Sequence, residues 1–219
     1  MKPLSLFAIA VVVAGPVLTP APAAAQNVHV GLAGGFGLTS LALTPEPPAT
    51  LSHPVRPDIG GLVAFDLSNA VSLELRLAWH SKAVRWSDTT AVPATESTVH
   101  INYLSVPVLV RITARAGHAR PYCVVGGEVA FKTGASLAVS LRTPRPTDPS
   151  PTTPDLNDQV QPTDVAIDAG AGLEVPAGRV SVFVEGLYSH GLRNIAVSPA
   201  NYFDVARTRT VHLNAGIRF

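Results

Sequence analysis

The chain has 219 residues, is 47% hydrophobic and only 14% charged, and 16 Lys+Arg against 15 Asp+Glu leave a formal net charge of +1. An average soluble domain is about 25% charged. A disordered, charge-rich chain is therefore excluded, and the balanced charge offers no broad basic face, so no nucleic-acid partner is expected. The single cysteine, Cys123, excludes an intramolecular disulfide framework and a cysteine-rich zinc site.

Residues 1–25 read as a secretory signal peptide. Lys2 supplies the positive start, Leu4 to Val13 the apolar stretch, and Ala23-Ala24-Ala25 a small-residue cleavage site before Gln26. The apolar stretch is short of the roughly 20 residues a helical span needs, and Pro16 and Pro20 break any helix that would continue it. Residues 26–219 are then expected to form one exported domain.

From there the hydrophobic pattern has period two, the mark of a half-buried strand. Eight runs show it. Val28, Val30, Leu32, Gly34 and Phe36 share one face of the first, and Ile59, Gly61, Val63, Phe65 and Leu67 one face of the second. Val71, Leu73, Leu75, Leu77 and Trp79 come third, opposite Glu74, Arg76 and His80. The fourth run, about His100 to Ile112, is more continuously apolar. Its Pro107 cannot donate to a ladder and predicts a bulge or break. On the sequence alone, the inward face from Tyr103 to Ile112 stays undecided. Cys123, Val125, Gly127, Val129 and Phe131 make the fifth run, opposite Glu128 and Lys132. In the sixth, Val165 to Val175 alternate with Asp164, Asp168 and Glu174. In the seventh, Val180, Val182, Val184 and Tyr188 alternate with Ser181 and Glu185. Val211, Leu213, Ala215, Ile217 and Phe219 form the eighth, opposite His212, Asn214 and Arg218.

The connections alternate as well. Those at 68–70, 114–119 and 176–178 are short, and those near 43–58, 84–98, 139–163 and 191–207 are long. Transmembrane barrels show this asymmetry between periplasmic turns and external loops. The longest loop, rich in Pro, Thr and Asp, is expected to lack fixed structure. The face opposite the apolar one is populated by Gly and Ala with isolated charges. That suits a narrow barrel interior better than a water-facing sheet. The aromatic residues Phe36, Trp79, Phe131 and Tyr188 fall toward one end of the strands, and Phe65 and Phe219 toward the other, as interfacial girdles do. The expected fold is all-β: a closed, antiparallel, eight-stranded, up-and-down transmembrane β-barrel.

Four stretches resemble the outer-membrane β-barrel ("porin family") proteins of Gram-negative bacteria, akin to small OmpA- and OmpX-type barrels. They are Val211-His-Leu-Asn-Ala-Gly-Ile-Arg-Phe219, Asn102-Tyr-Leu-Ser-Val-Pro-Val-Leu-Val110, Arg120-Pro-Tyr-Cys-Val-Val-Gly-Gly127, and Asp168 to Val175 together with Val184 to Ile195. The resemblance spans the exported part of the chain. It implies an outer-membrane location and insertion by the barrel-assembly machinery. In that reading Val211, Leu213, Ala215, Ile217 and Phe219 are the C-terminal assembly signal. The family shares a fold more than an activity.

The charges on the non-apolar face, Glu74, Arg76, Glu128, Asp168, Glu174, Glu185 and Arg218, with Lys132 and Arg111 beside them, are expected to fill the lumen as a paired polar network. Eight strands leave little room for an aqueous channel. The pair Ser189-His190, with Glu185 nearby, offers a hydrolase reading, but adjacent strand residues point to opposite faces. Asp155-Leu-Asn-Asp158 lacks the glycine and closing glutamate of a calcium loop. No catalytic residue, cofactor or metal is expected. The expected role is structural or surface-interacting, with outer-membrane lipid as surroundings and an extracellular ligand reached through the long loops. The rival readings are a lipid A deacylase-like enzyme, a soluble periplasmic barrel around an apolar ligand, and a narrow channel.

Overall fold

The computed structural model describes residues 28–44, 50–88, 95–114, 117–141, 154–158, 160–195 and 205–219. The signal-peptide segment lies outside them. Nine strands form one antiparallel sheet: β1 (Val28–Thr44), β2 (Thr50–Ser52), β3 (Val55–Asp66), β4 (Val71–Asp88), β5 (Thr95–Thr113), β6 (Arg120–Leu141), β7 (Thr163–Ala177), β8 (Val180–Gly191) and β9 (Val205–Arg218). The short β2 pairs with the far end of β4 and continues the line of β3 past His53-Pro54. β1 pairs with both β3 and β9, and β4 pairs with both β3 and β5, so the sheet closes on itself. The result is an eight-stave antiparallel barrel.

Closure removes the sheet edges through the central band, and the side chains sort by parity. Leu213 is 61% exposed on the outer surface while its neighbour His212 is 5% exposed inside. The same inversion runs through Val30, Leu32, Ile59, Leu77, Val125, Ile167, Val184 and Ile217, all exposed. Glu74, Arg111, Asp168 and Glu185 are buried. A soluble calyx for an apolar ligand needs the opposite arrangement. Trp79 and Phe131, both outward, flank Leu104 through consecutive cross-strand pairs. Cys123 is exposed among the outward residues.

Short turns gather at one end. Between β3 and β4 the Ser68 hydroxyl accepts hydrogen bonds from the backbone N–H of Ala70 (3.3 Å) and Val71 (3.1 Å). Between β7 and β8 the two-residue loop begins with Gly178 at φ 69°, the left-handed backbone a tight hairpin requires.

At the other end the strands run past the expected loop boundaries. β4 continues to Asp88 and β5 begins at Thr95, so the expected loop 84–98 is mostly ladder. β6 is 22 residues long, whereas a tilted span needs about 9–11. Of the loop 141–161 expected to lack fixed structure, the described residues are held by hydrogen bonds. Leu156 N–H donates to the Ala135 carbonyl (3.0 Å), Ala135 N–H to Asn157 Oδ1 (2.9 Å), and Leu137 N–H to the Pro154 carbonyl (3.1 Å). Residues 142–153 and 159 lie outside the described residues.

The undecided fourth run is settled by β5. Tyr103, Ser105, Pro107, Leu109 and Arg111 face inward, and Leu104, Val108, Val110 and Ile112 face outward. The β4–β5 ladder lapses opposite Pro107, which has no N–H, and resumes in the same register. Nearby, Asn102 pairs with Gly134 but Tyr103 with Lys132, so Thr133 is an extra residue in β6 and forms a bulge.

Candidate functional site

The lumen holds two polar clusters. The first lies in the half nearer the short turns and joins β4, β5, β7, β8 and β9. Arg76 grips Glu185 with two parallel hydrogen bonds, Nη1 to Oε1 at 2.5 Å and Nη2 to Oε2 at 2.8 Å. Its other edge donates to Glu74 Oε2 from Nε (3.1 Å) and Nη2 (2.6 Å). Arg111 donates from Nη1 to Glu74 Oε1 (3.1 Å) and from Nη2 to Glu174. The Arg111 guanidinium also lies 3.5 Å from the centroid of the Tyr122 ring. Arg218 closes the group, 3.8 Å from Glu74 Oε1, 3.7 Å from Glu174 Oε2 and 3.4 Å from Asp66 Oδ1.

Three guanidiniums therefore meet the three carboxylates of Glu74, Glu174 and Glu185. Glu74 contacts all three arginines, and it is fully buried. Bidentate arginine–carboxylate geometry fixes direction as well as charge. Below the cluster, His29 on β1 bonds Asp66 (3.1 Å) and the Phe219 carbonyl (3.1 Å), tying β1 to β3 and to the end of β9.

The second cluster lies further from the short turns. Asp58 accepts from His212 and lies 3.7 Å from His80 Nδ1, while the His80 and His212 rings meet edge-on at 5.6 Å. Lys82 reaches Asp164 (3.2 Å) and Thr208 (3.3 Å), and its ammonium sits 4.9 Å from the centroid of the Tyr103 ring. Thr208 Oγ1 donates to the same Asp164 oxygen at 2.9 Å. Between the clusters lies a cavity of about 50 Å³ bordered by Arg76, His80, Ser105, Glu128 and His212, large enough for a water molecule.

The seven inward residues singled out from the sequence thus divide. Glu74, Arg76, Glu174, Glu185 and Arg218 form one ion-pair group with Arg111. Glu128 lines the cavity and Asp168 faces Ser189 across the β7–β8 ladder, and neither makes an ion pair among the described residues. Sequence reasoning missed Asp58 and Lys82 as partners because both lie just beyond the ends of the alternating runs. Lys132 donates to the backbone carbonyls of Asn157 and Val160 (2.5 Å to the latter), tying that segment to β6. Leu156 and Val160 of that segment pack against buried Ile101, Tyr103, Ala130, Ala135 and Ile195.

The structure does not bring Ser189 and His190 together. Ser189 is buried in the lumen, while His190 lies on the outer face, 3.4 Å from the Tyr188 hydroxyl. The Asp155 and Asn157 side chains are engaged in local bonds, and no group of three metal-ligating side chains occurs among the described residues. Above the band, Arg56 bonds the His100 ring. Burial, then the charges of Arg56 and Arg85, hold the His100 pKa below its ordinary value.

A closed barrel that is apolar outside and ionic inside is a membrane-spanning one. The chain belongs to the family described as "Outer membrane protein beta-barrel domain", whose model matches residues 24–197. No curated protein shows significant similarity to it. Among solved structures, it is similar to a major outer membrane protein from Thermus thermophilus (TM-score 0.53, 11% identity, covering 89% of this chain and 100% of that one). It is also similar to the outer membrane protein OprG from Pseudomonas aeruginosa (TM-score 0.48, 11% identity, 89% and 97%). Neisserial surface protein A is a further match (TM-score 0.47, 12% identity, 87% and 95%). At such identities the likeness concerns the fold alone.

Proposed function

We propose that this protein is a non-enzymatic outer-membrane barrel with a structural and surface-presenting role and no through-passage for solutes. Residues 1–25 direct export and are cleaved. Val211, Leu213, Ala215, Ile217 and Phe219 are read by the assembly machinery. The short turns face the periplasm and the extended strand ends face outward, where they and the loops meet extracellular ligands. The observation that carries this reading is the filled lumen. Six ionic side chains on five strands meet across its turn-side half, and further out Leu156 and Val160, beside the carbonyls that Lys132 holds, pack against the buried cluster around Tyr103. An ion crossing this interior would have to displace buried, paired charges, at a cost of several kcal/mol.

Two measurements test it. The protein is expected in the outer-membrane fraction, as a band whose mobility shifts on boiling. A soluble periplasmic band would overturn the reading. Reconstituted into planar bilayers, the folded protein is expected to give no discrete conductance steps. Regular steps abolished by mutating lumen residues would replace this proposal with a channel.

A further inference from the structure

The outer surface changes character abruptly on β9. From Phe219 back to Val211 its outward residues are apolar over nine positions, about the length of one span. The next two outward positions are Arg209 and Arg207, both exposed. Arg209 lies directly between His190 on β8 and Ser40 on β1 in the cross-strand register. Arg207, opposite Ala42, stands one step further out. Carried on by two residues, the β8–β9 register puts Arg207 level with Leu192, just before Arg193. Arg193 donates to Thr163 Oγ1 (2.5 Å) and Gln161 Oε1 (3.5 Å), both neutral acceptors. Arg207, Arg209 and His190 thus occupy neighbouring outward positions on β8 and β9, with Arg193 one residue beyond the position level with Arg207. Among the described residues no carboxylate lies within ion-pair distance of any of them.

Like charges on adjacent strand positions repel. The lumen arginines Arg76, Arg111 and Arg218 are ion-paired, as is Arg85 with Glu96 at 3.2 Å outside, whereas Arg56, Arg120 and Arg179, like this set, have no carboxylate partner among the described residues. The four residues sit where the apolar band ends, at the depth of lipid headgroups. Tyr188 and Val211 lie immediately below it on the same face.

We infer that Arg207, Arg209, His190 and Arg193 form a docking surface for the phosphate groups of an anionic lipid in the outer leaflet. Guanidinium forks match phosphate oxygens, and the apolar strip of Val211, Leu213 and Leu38 beneath them receives the acyl chains. The inference rests on the proposed orientation of the barrel, with the short turns inward.

The test uses the full-length purified protein in a neutral detergent, scored as folded by its boiling-dependent gel mobility. Retained lipid is then read by native mass spectrometry after titration with three probes: a bisphosphorylated glucosamine lipid, its monophosphorylated form, and phosphatidylcholine. Affinity is expected to fall in that order. Arg207→Gln with Arg209→Gln is expected to weaken binding of the bisphosphorylated probe about tenfold or more. Arg120→Gln with Arg179→Gln, at the opposite end, is expected to leave it unchanged. If the folded Arg207/Arg209 variant retains that probe as well as the wild type, the inference falls and the outer-membrane reading stands. Equal retention of phosphatidylcholine by the wild type would overturn it too. A protein that never shows the mobility shift overturns the membrane reading instead.

Discussion

Replacing Glu74 with glutamine will lower the stability of the folded barrel by about 3–5 kcal/mol, the usual cost of removing one partner from a buried ionic group. The substitution barely changes volume but leaves three guanidiniums facing Glu174, Glu185 and, for Arg218 alone, Asp66. Arg76 keeps its two bonds to Glu185, Arg111 keeps Glu174, and Arg218 keeps Asp66 and Glu174, but all three guanidiniums lose the one carboxylate charge they share. Glu74 is central because it alone touches all three arginines. The measurement is the urea midpoint of the protein in lipid vesicles, read by the boiling-dependent mobility shift. Adding Arg218→Met to Glu74→Gln restores the charge count and is expected to recover part of the loss. An unchanged midpoint for the single variant would mean that water within the lumen screens the cluster and that its ion pairs contribute little.

The parity of the strands was legible from period two alone, because a barrel with lipid on one side and a packed lumen on the other imposes a different chemistry on each face. β9 is the clearest instance, with His212 and Arg218 inside and Leu213 and Ile217 outside. Pairing across the lumen was not legible. Which inward charges meet depends on strand tilt and on bulges, and the bulge beside Tyr103 arises from Thr133 in the partner strand. The strand ends were misjudged for a different reason. Beyond the hydrocarbon band, β4 and β5 carry Arg85, Ser87, Glu96 and Thr98, since a ladder in water needs no apolar face. Alternation stops there although hydrogen bonding continues to Asp88 and Thr95. Asp58 and Lys82 were overlooked at the same margin.

Gly126→Ala is expected to block assembly, even though alanine adds a single methyl group. Gly126 pairs with Leu109 across the β5–β6 ladder. A Cβ there would come 2.0 Å from the Val108 carbonyl oxygen and 2.9 Å from the Leu109 Cα. These obstacles are backbone atoms, which no rotamer change moves aside. The strands must separate locally, on the edge of β5 opposite the lapse at Pro107. Each N–H or C=O released toward the bilayer costs several kcal/mol, so even a short opening removes much of the margin of about 5–15 kcal/mol that holds a protein folded. Gly186→Ala is the matched control: Gly186 lies on the exposed face of β8, and a Cβ there meets nothing within 4 Å. Folded yield is read as the fraction of each variant in the outer membrane that shows the boiling-dependent shift. Wild-type yield is expected for Gly186→Ala, and a loss of most of the folded band for Gly126→Ala. Equal yields would mean that β5 and β6 can spread at this point without losing their ladder, and that the close approach at Gly126 is incidental to closure.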